Sequence, residues 1–224
     1  LSMSALNDIT VAGRIQALGG ASMDAGDGVL LDGGSLKSDS AISIAAGTGV
    51  GTDGTGSIVV KAATADADEY AIFTNNALSM SALNDITVAG GIQAFDGASM
   101  GAGDDVLLNG GSLASNGAIG IAAGNYNFNT DIQGTYIDLV AATTIGQTDS
   151  TGLNNLDTYL DIASDKDGWV DMTAAEGVYV YSPAYRLNLR NVTASDGSVN
   201  VTSAVSSLDV IGNVTGKDGI TLNS

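Results

Sequence analysis

Chemistry in this chain falls to its carboxylates. The chain has 25 Asp and Glu, no His and no Cys. The commonest general base and the thiolate nucleophile are both missing. Gly101-Ala102-Gly103-Asp104-Asp105-Val106-Leu107 has the outline of one calcium-binding nonapeptide, with Asp104 and Asp105 as oxygen donors. That motif holds its ion between consecutive turns, so a second Asp-bearing nonapeptide must follow. Asn109-Gly110-Gly111-Ser112-Leu113 follows without one, and the related Gly26-Asp27-Gly28 also lacks the pattern. The competing reading is an Asp-Gly turn. Asp66-Ala67-Asp68-Glu69 and Asp165-Lys166-Asp167 offer further oxygens to calcium, or form solvated turns. Calcium is the one cofactor these residues suggest.

Paired carboxylates also cleave glycosides. Asp157 and Asp161, with Asp131 and Asp138 nearby in sequence, are the candidates. Such a site needs a groove with cationic and aromatic residues to hold sugar. The whole chain has 7 Lys and Arg and one Trp, so no enzyme activity is expected. Trp169, Tyr179, Tyr181 and Tyr185 collect beside Arg186 and Arg190. They form a stacking surface for a sugar or a protein, or a local cap over a wider piece of fold.

The elements that must position these residues follow from a repeat. Residues 1–47 recur at 78–124 without a gap, with 37 of 47 positions identical. Leu1-Ser2-Met3-Ser4-Ala5 returns loosely as Ala21-Ser22-Met23-Asp24-Ala25, an offset of 20. At that offset Ile9 meets Val29 and Val11 meets Leu31, and Ala41-Ile42-Ser43-Ile44-Ala45 continues the first column. Past residue 124 the block match continues loosely: Ile58-Val59-Val60-Lys61-Ala62-Ala63-Thr64 resembles Ile137-Asp138-Leu139-Val140-Ala141-Ala142-Thr143 after a two-residue insertion. Ile9-Thr10-Val11, Val199-Asn200-Val201 and Leu187-Asn188-Leu189 alternate apolar and polar, the period of a strand. Gly, Asn and Asp clusters interrupt the strands every few residues. Leu153 to Leu160 comes nearest to a helical pattern. Fixed-offset copies of short strands predict a parallel β-helix. The expectation is an all-β, right-handed parallel solenoid of about 20 residues per coil and about eleven coils, its handedness taken from the general rule for parallel crossovers. It is expected to be a single solenoid over 1–224, with duplicated blocks 1–77 and 78–144, diverged coils 145–224, and to be a piece of a longer chain.

Gly28-Val29-Leu30-Leu31-Asp32-Gly33-Gly34-Ser35-Leu36-Lys37-Ser38, followed by Ala41-Ile42-Ser43-Ile44-Ala45-Ala46-Gly47, resembles the repeats of the filamentous haemagglutinin family. The copy from Asp105 to Gly124 resembles them too, as does the autotransporter-like shaft pattern generally. The likeness covers residues 1–64 and 78–143 and loosens over 144–224, where the Gly-Gly turn is lost. The resemblance implies a right-handed β-helical shaft of a large secreted bacterial adhesin, exported or held at the cell surface.

Composition bears on partners. A net charge of −18 argues against nucleic acid and against an anionic membrane surface. No apolar run is long enough to span a bilayer as a helix, so no membrane insertion is expected. The expected function is a structural and adhesive shaft, free of any reaction step and able to form extracellular filaments. Its expected partners are other copies, end to end or along the rod, and a host surface, a neighbouring cell or a polysaccharide. The alternatives are a calcium-dependent matrix or assembly protein and a polysaccharide-processing β-helix.

Overall fold

The computed structural model describes residues 1–47, 56–61, 70–123, 125–133, 136–145, 160–163, 169–182, 186–203 and 206–224. These form 25 strands, numbered in chain order, and every pairing between them is parallel. The first face of the coil stacks β1 (Ser2–Ala5), β4 (Ala21–Ala25), β7 (Ile42–Ala46), β10 (Ala77–Ala82) and β13 (Gly97–Ala102). It continues through β15 (Ala118–Ala123), β17 (Tyr136–Ala141), β20 (Trp169–Ala174), β22 (Leu187–Ala194) and β24 (Leu208–Gly216). The second face stacks β2 (Ile9–Val11), β5 (Val29–Leu31), β8 (Ile58–Val60), β11 (Ile86–Val88) and β14 (Asp105–Ser115). After them come β16 (Asn125–Gln133), β18 (Thr144–Ile145), β21 (Gly177–Ser182), β23 (Ser198–Ser203) and β25 (Gly219–Asn223). The third face holds β3 (Ile15–Ala17), β6 (Leu36–Ser38), β9 (Ile72–Thr74) and β12 (Ile92–Ala94), then the far halves of β14 and β16, then β19 (Leu160–Ala163).

The fold is therefore the expected parallel solenoid, and the expected register is found at its start. Ser2, Met3 and Ala5 pair with Ser22, Met23 and Ala25, and Ile9 and Val11 pair with Val29 and Leu31. The coil count is corrected downward. The solenoid amounts to about 8 turns of about 21 residues, where eleven of about 20 were expected. The first two faces each stack ten strands, but among the described residues the third stacks seven, so not every turn is complete. Two enlarged steps take up part of the missing length: Ser43 to Ser79 is 36 residues and Asp138 to Asp171 is 33. The likeness of Ile58-Val59-Val60 to Ile137-Asp138-Leu139 is also corrected. The first lies on the second face in β8, the other on the first face in β17. Alternation alone looks the same on every face. Of the near-helical stretch Leu153 to Leu160, residues 153–159 lie outside the described residues, and Leu160 opens strand β19.

Ladders of apolar side chains from all three faces fill the interior. On the first face the ladder runs Met3, Met23, Ile44, Met80, Met100, Ile121, Leu139, Met172, Val192, Val214. All 5 methionines of the chain stand on it. An unbranched thioether adjusts to the neighbours above and below, which suits a column where coils differ slightly in tilt. The second face contributes Ile9, Val29, Ile58, Ile86 and Val106, and the third Ile15, Leu36, Ile72, Ile92 and Leu113. Each fully buried Ile, Leu or Met contributes about 1.5–3 kcal/mol. Coverage by the next coil decides how much. Leu1 and Leu78 open identical 13-residue stretches, yet Leu1 is 53% exposed and Leu78 1%.

Corners are held by hydroxyls and made tight by glycines. Where the third face turns back to the first, Ser38 Oγ donates to the Gly19 carbonyl of the preceding coil at 2.6 Å and accepts from the Ser40 amide at 3.2 Å. Thr74, next on that column, repeats the pattern: Oγ1 donates to the Ser40 carbonyl at 2.7 Å and accepts from the Asn76 amide at 3.1 Å. Ser115 Oγ accepts from the Gly117 amide at 3.0 Å. These buried hydroxyls satisfy turn groups that the strand ladders leave unpaired. At the first corner the space is smaller. A Cβ on Gly103 would lie 1.9 Å from the Leu83 carbonyl oxygen, and one on Gly26, its counterpart in the first block, 1.8 Å from that of Leu6. Only glycine lets the coils approach there.

The ten differences between the two blocks respect this construction. None of the ten falls on a buried residue in the first block, nor in the second among residues whose side chains are described. The paired substitutions Gly103→Ala and Gly101→Ala test the corner directly. Gly101 faces outward with nothing within 4 Å of its added methyl. Gly103→Ala is expected to cost about 1–3 kcal/mol of stability, and Gly101→Ala to stay within about 0.5 kcal/mol of the parent. Urea melts of the three proteins measure both.

Candidate functional site

The central outward column of the first face carries Ser and Gly for six coils and then changes. One column reads Ser2, Ser22, Ser43, Ser79, Ser99, Gly120 and then Asp138 and Asp171. Asp138 therefore sits directly across a rung from Asp171. The next outward column, through Ser81, Gly101, Ala122 and Val140, lines a shallow open groove.

A bulge builds the polar cluster. Val170 pairs with Leu189, but Met172 pairs with Val192, so two residues of β22 stand opposite Asp171 alone. They are Arg190 and Asn191. A bulge of this kind re-aims side chains that a regular strand would send elsewhere. Arg190 Nε donates to Asp171 Oδ1 at 3.0 Å, and its Nη2 donates to Oδ2. The Asn191 amide donates to the same Oδ1 at 2.9 Å, and its side-chain nitrogen at 3.3 Å. The Arg190 guanidinium carbon lies 4.4 Å from the centre of the Trp169 ring. That distance places the cation over the ring's negative face. The following coil makes room for the bulge with Gly212, whose Cβ would lie 1.9 Å from the Arg190 carbonyl oxygen.

The two carboxylates are pushed apart in pKa. Partial desolvation raises Asp138, the Asp171 charge raises it further, and the Arg190 charge opposes them without prevailing. Burial also presses Asp171 upward. The Arg190 hydrogen bond, the Asn191 amide, the Arg190 charge and the Asn191 side chain together outweigh it, and Asp171 lies below the usual range. Their split follows from geometry: one carboxylate has its oxygens engaged by donors and the other has a like charge for a neighbour.

Three other charged pairs also cross between coils. Arg186 Nε donates to Asp209 Oδ2 at 2.7 Å, Lys217 Nζ to Asp196 Oδ1 at 2.7 Å, and Lys61 Nζ lies 3.1 Å from Asp32 Oδ1. Hydrogen bonding to Lys217, then its charge, lowers Asp196.

The sequence-predicted sites are distributed as follows. Asp104 and Asp105 are exposed at the corner between β13 and β14. The Asp104 amide donates to the Asn84 carbonyl at 3.0 Å and the Asp105 amide to Asp85 Oδ1 at 3.1 Å, which makes this a stacked turn. Asp8 Oδ1 accepts from the Gly28 amide at 2.9 Å at the equivalent corner of the first block. Among the described residues, no group of three or more His, Cys, Asp or Glu is arranged to hold a metal ion. Asp66, Asp68, Glu69, Asp157, Asp165, Asp167 and Tyr185 lie outside the described residues. Asp131 and Asp161 pair with each other in β16 and β19, away from Asp138 on the first face. Trp169 is on the first face and Tyr179 on the second, where its ring lies over Gly177. Tyr181 shares the strand of Tyr179, and its side chain is outside the description. Trp169 and Tyr179 thus do not gather on one face.

Two groupings escaped the sequence reading. Asp171 was not among the paired carboxylates, because its partner Asp138 stands 33 residues away where the period is about 21. Tyr70, Phe73 and Phe95 form a strip near the third face, with ring centres 6.2 Å and 5.9 Å apart. Their rings are tilted and edge-on to one another, which suits a small surface cluster and offers no flat platform for a sugar ring.

No protein-family model, no curated protein and no solved structure matches this chain.

The Arg190–Asp171 bridge has a defined pH signature. A carboxylate held below its unfolded pKa stabilises the fold above that unfolded value, and the benefit is lost as pH falls through the folded one. Arg190→Gln is therefore expected to lower stability at about pH 7 and to show a smaller deficit at about pH 2. Urea midpoints at the two pH values measure it; a deficit of equal size at both would mean the pair contributes no ionic stabilisation.

Proposed function

We propose that this chain is part of the shaft of a large secreted or surface-attached bacterial protein, with a structural and adhesive role. The observation that carries this reading is the placement of the ten block differences. The interior columns are copied unchanged while the outside varies, which suits a spacer whose requirement is a continuous stack and does not suit a unique reaction centre. Inter-coil ion pairs support the same reading, since four of them brace successive coils and leave those cations committed to the fold. Surplus carboxylates remain on the outside, where they keep copies soluble and repel polyanions.

The polysaccharide-processing alternative gains little from the Asp138–Asp171 pair. Both Asp171 oxygens are engaged by Arg190 or Asn191, so that carboxylate is poorly placed to attack a sugar carbon or activate a water. The calcium-dependent alternative requires that the ion contribute to stability.

Display of the chain on an inert cell-surface carrier tests adhesion. Displaying cells are expected to hold to one another or to a polysaccharide-coated surface more firmly than cells with the carrier alone. Equal detachment under flow would sink the adhesive part of the reading. A chelator is expected to leave the melting temperature unchanged; a drop restored by added calcium would favour the assembly-protein alternative.

A further inference from the structure

The Asp138–Asp171 rung lies at the junction of the seventh and eighth coils, counted along the first face, where the step is 33 residues. Among the described residues, it is the place on this face where two carboxylates stand in register across neighbouring strands. On the other side of Asp138, β15 offers Gly120, which brings no charge. From β20 comes Asp171, and from β22 comes Arg190. No other titratable side chain among those described on these strands faces Asp138. Arg190 is already forked onto Asp171, held there by two hydrogen bonds and by the Trp169 ring. Two carboxylates thus share one cation, and the geometry gives that cation to Asp171.

We propose that this junction is a proton-operated joint, in which protonation of Asp138 lets its carboxyl donate a hydrogen bond across the rung to Asp171 and ties the seventh coil to the eighth. This is a property of the coil junction and goes beyond the shaft reading; it holds whether or not the shaft is adhesive. The proton goes to Asp138, because desolvation and the Asp171 charge raise its pKa while Asp171 stays ionised under Arg190. A carboxyl whose folded pKa lies above its unfolded value binds the proton more tightly when folded. The joint therefore gains stability as pH falls from neutral through the folded pKa, and the gain is complete only below the ordinary aspartate value of about 3.9. Below that value Asp171 protonates in turn, and the bridge to Arg190 is lost.

The chain carries its own reporter. Trp169 is the one Trp in the sequence, two residues before Asp171 and packed under Arg190. Its fluorescence, together with urea melts, is to be followed from neutral pH down to the ordinary aspartate range in three proteins: the parent, Asp138→Asn and Asp138→Ala. Acidification relieves the general negative charge in all three, so the informative quantity is the difference between profiles. The expected result has three parts. The parent shows a step in Trp169 emission with a midpoint above the ordinary aspartate value. Asp138→Asn, whose amide donates without a proton from solvent, is more stable than the parent at neutral pH and lacks the step. Asp138→Ala lacks the step as well, and is less stable than Asp138→Asn at every pH. Parallel profiles for the parent and Asp138→Asn would overturn the proposal, as would a Trp169 step that persists in Asp138→Ala.

Discussion

Everything in this molecule depends on parallel backbone pairing between successive coils. Each strand inside a stack hydrogen-bonds to the strand one turn earlier and the strand one turn later, about 4.8 Å away on either side. Residues one turn apart are therefore in lasting contact. A side chain pointing inward must fit what stands above and below it, and a corner must fit the corner before it. The Met80–Met100 and Ile86–Val106 contacts meet the first demand. Gly26 under Leu6 and Gly103 under Leu83 meet the second. An outward side chain faces no such test. The stability of the whole is then a sum over neighbouring coils, and a coil without a neighbour loses its share, as the contrast between Leu1 and Leu78 shows.

The same constraint decides what was legible in the sequence. Stacking like on like writes the register into the residues, so Ser2 over Ser22 and Ile9 over Val29 could be read without coordinates. What could not be read was the length of the corners. A corner takes extra residues at little cost, because closing a longer loop costs only about 0.6 kcal/mol per doubling. The strands on either side still stack. The ladder thus continues from Ser43 to Ser79 across 36 residues while the sequence period is lost. Face identity was hidden for a related reason. All three faces bury one side of a short alternating strand, so Ile58-Val59-Val60 and Ile137-Asp138-Leu139 look alike and lie on different faces. Only the neighbours in the stack distinguish them, and those are set by corner lengths. The Asp138–Asp171 pair was illegible on the same account, since an enlarged corner separates its members in sequence while the rung joins them in space.

Charge follows from packing in the same way. With 25 acidic and 7 basic residues, few carboxylates can have a cation. Among the described residues, several that do are joined across coils, as in Asp32 with Lys61 and Asp196 with Lys217. Both of these pairs are well exposed, and water screening leaves such pairs little to contribute. Asp171 is different. Its side chain is 15% exposed, and it takes a forked guanidinium together with a backbone amide. Hydrogen bonds to a charged group of this kind contribute more than an exposed pair does.

The outer face makes the division of labour visible. Through six coils its main column carries Ser and Gly, side chains too short to recognise anything by shape. Beyond Gly120 the column turns to Asp138 and Asp171, the strand opposite gains a bulge, and Trp169 and Arg190 stack. A bulge disrupts the ladder locally, and the glycine at 212 is needed to accommodate it. A uniform spacer has no use for such an irregularity. Position along this solenoid therefore matters little inside and a good deal outside: the interior column is interchangeable from coil to coil, and individuality resides in the few outward residues that a bulge can redirect.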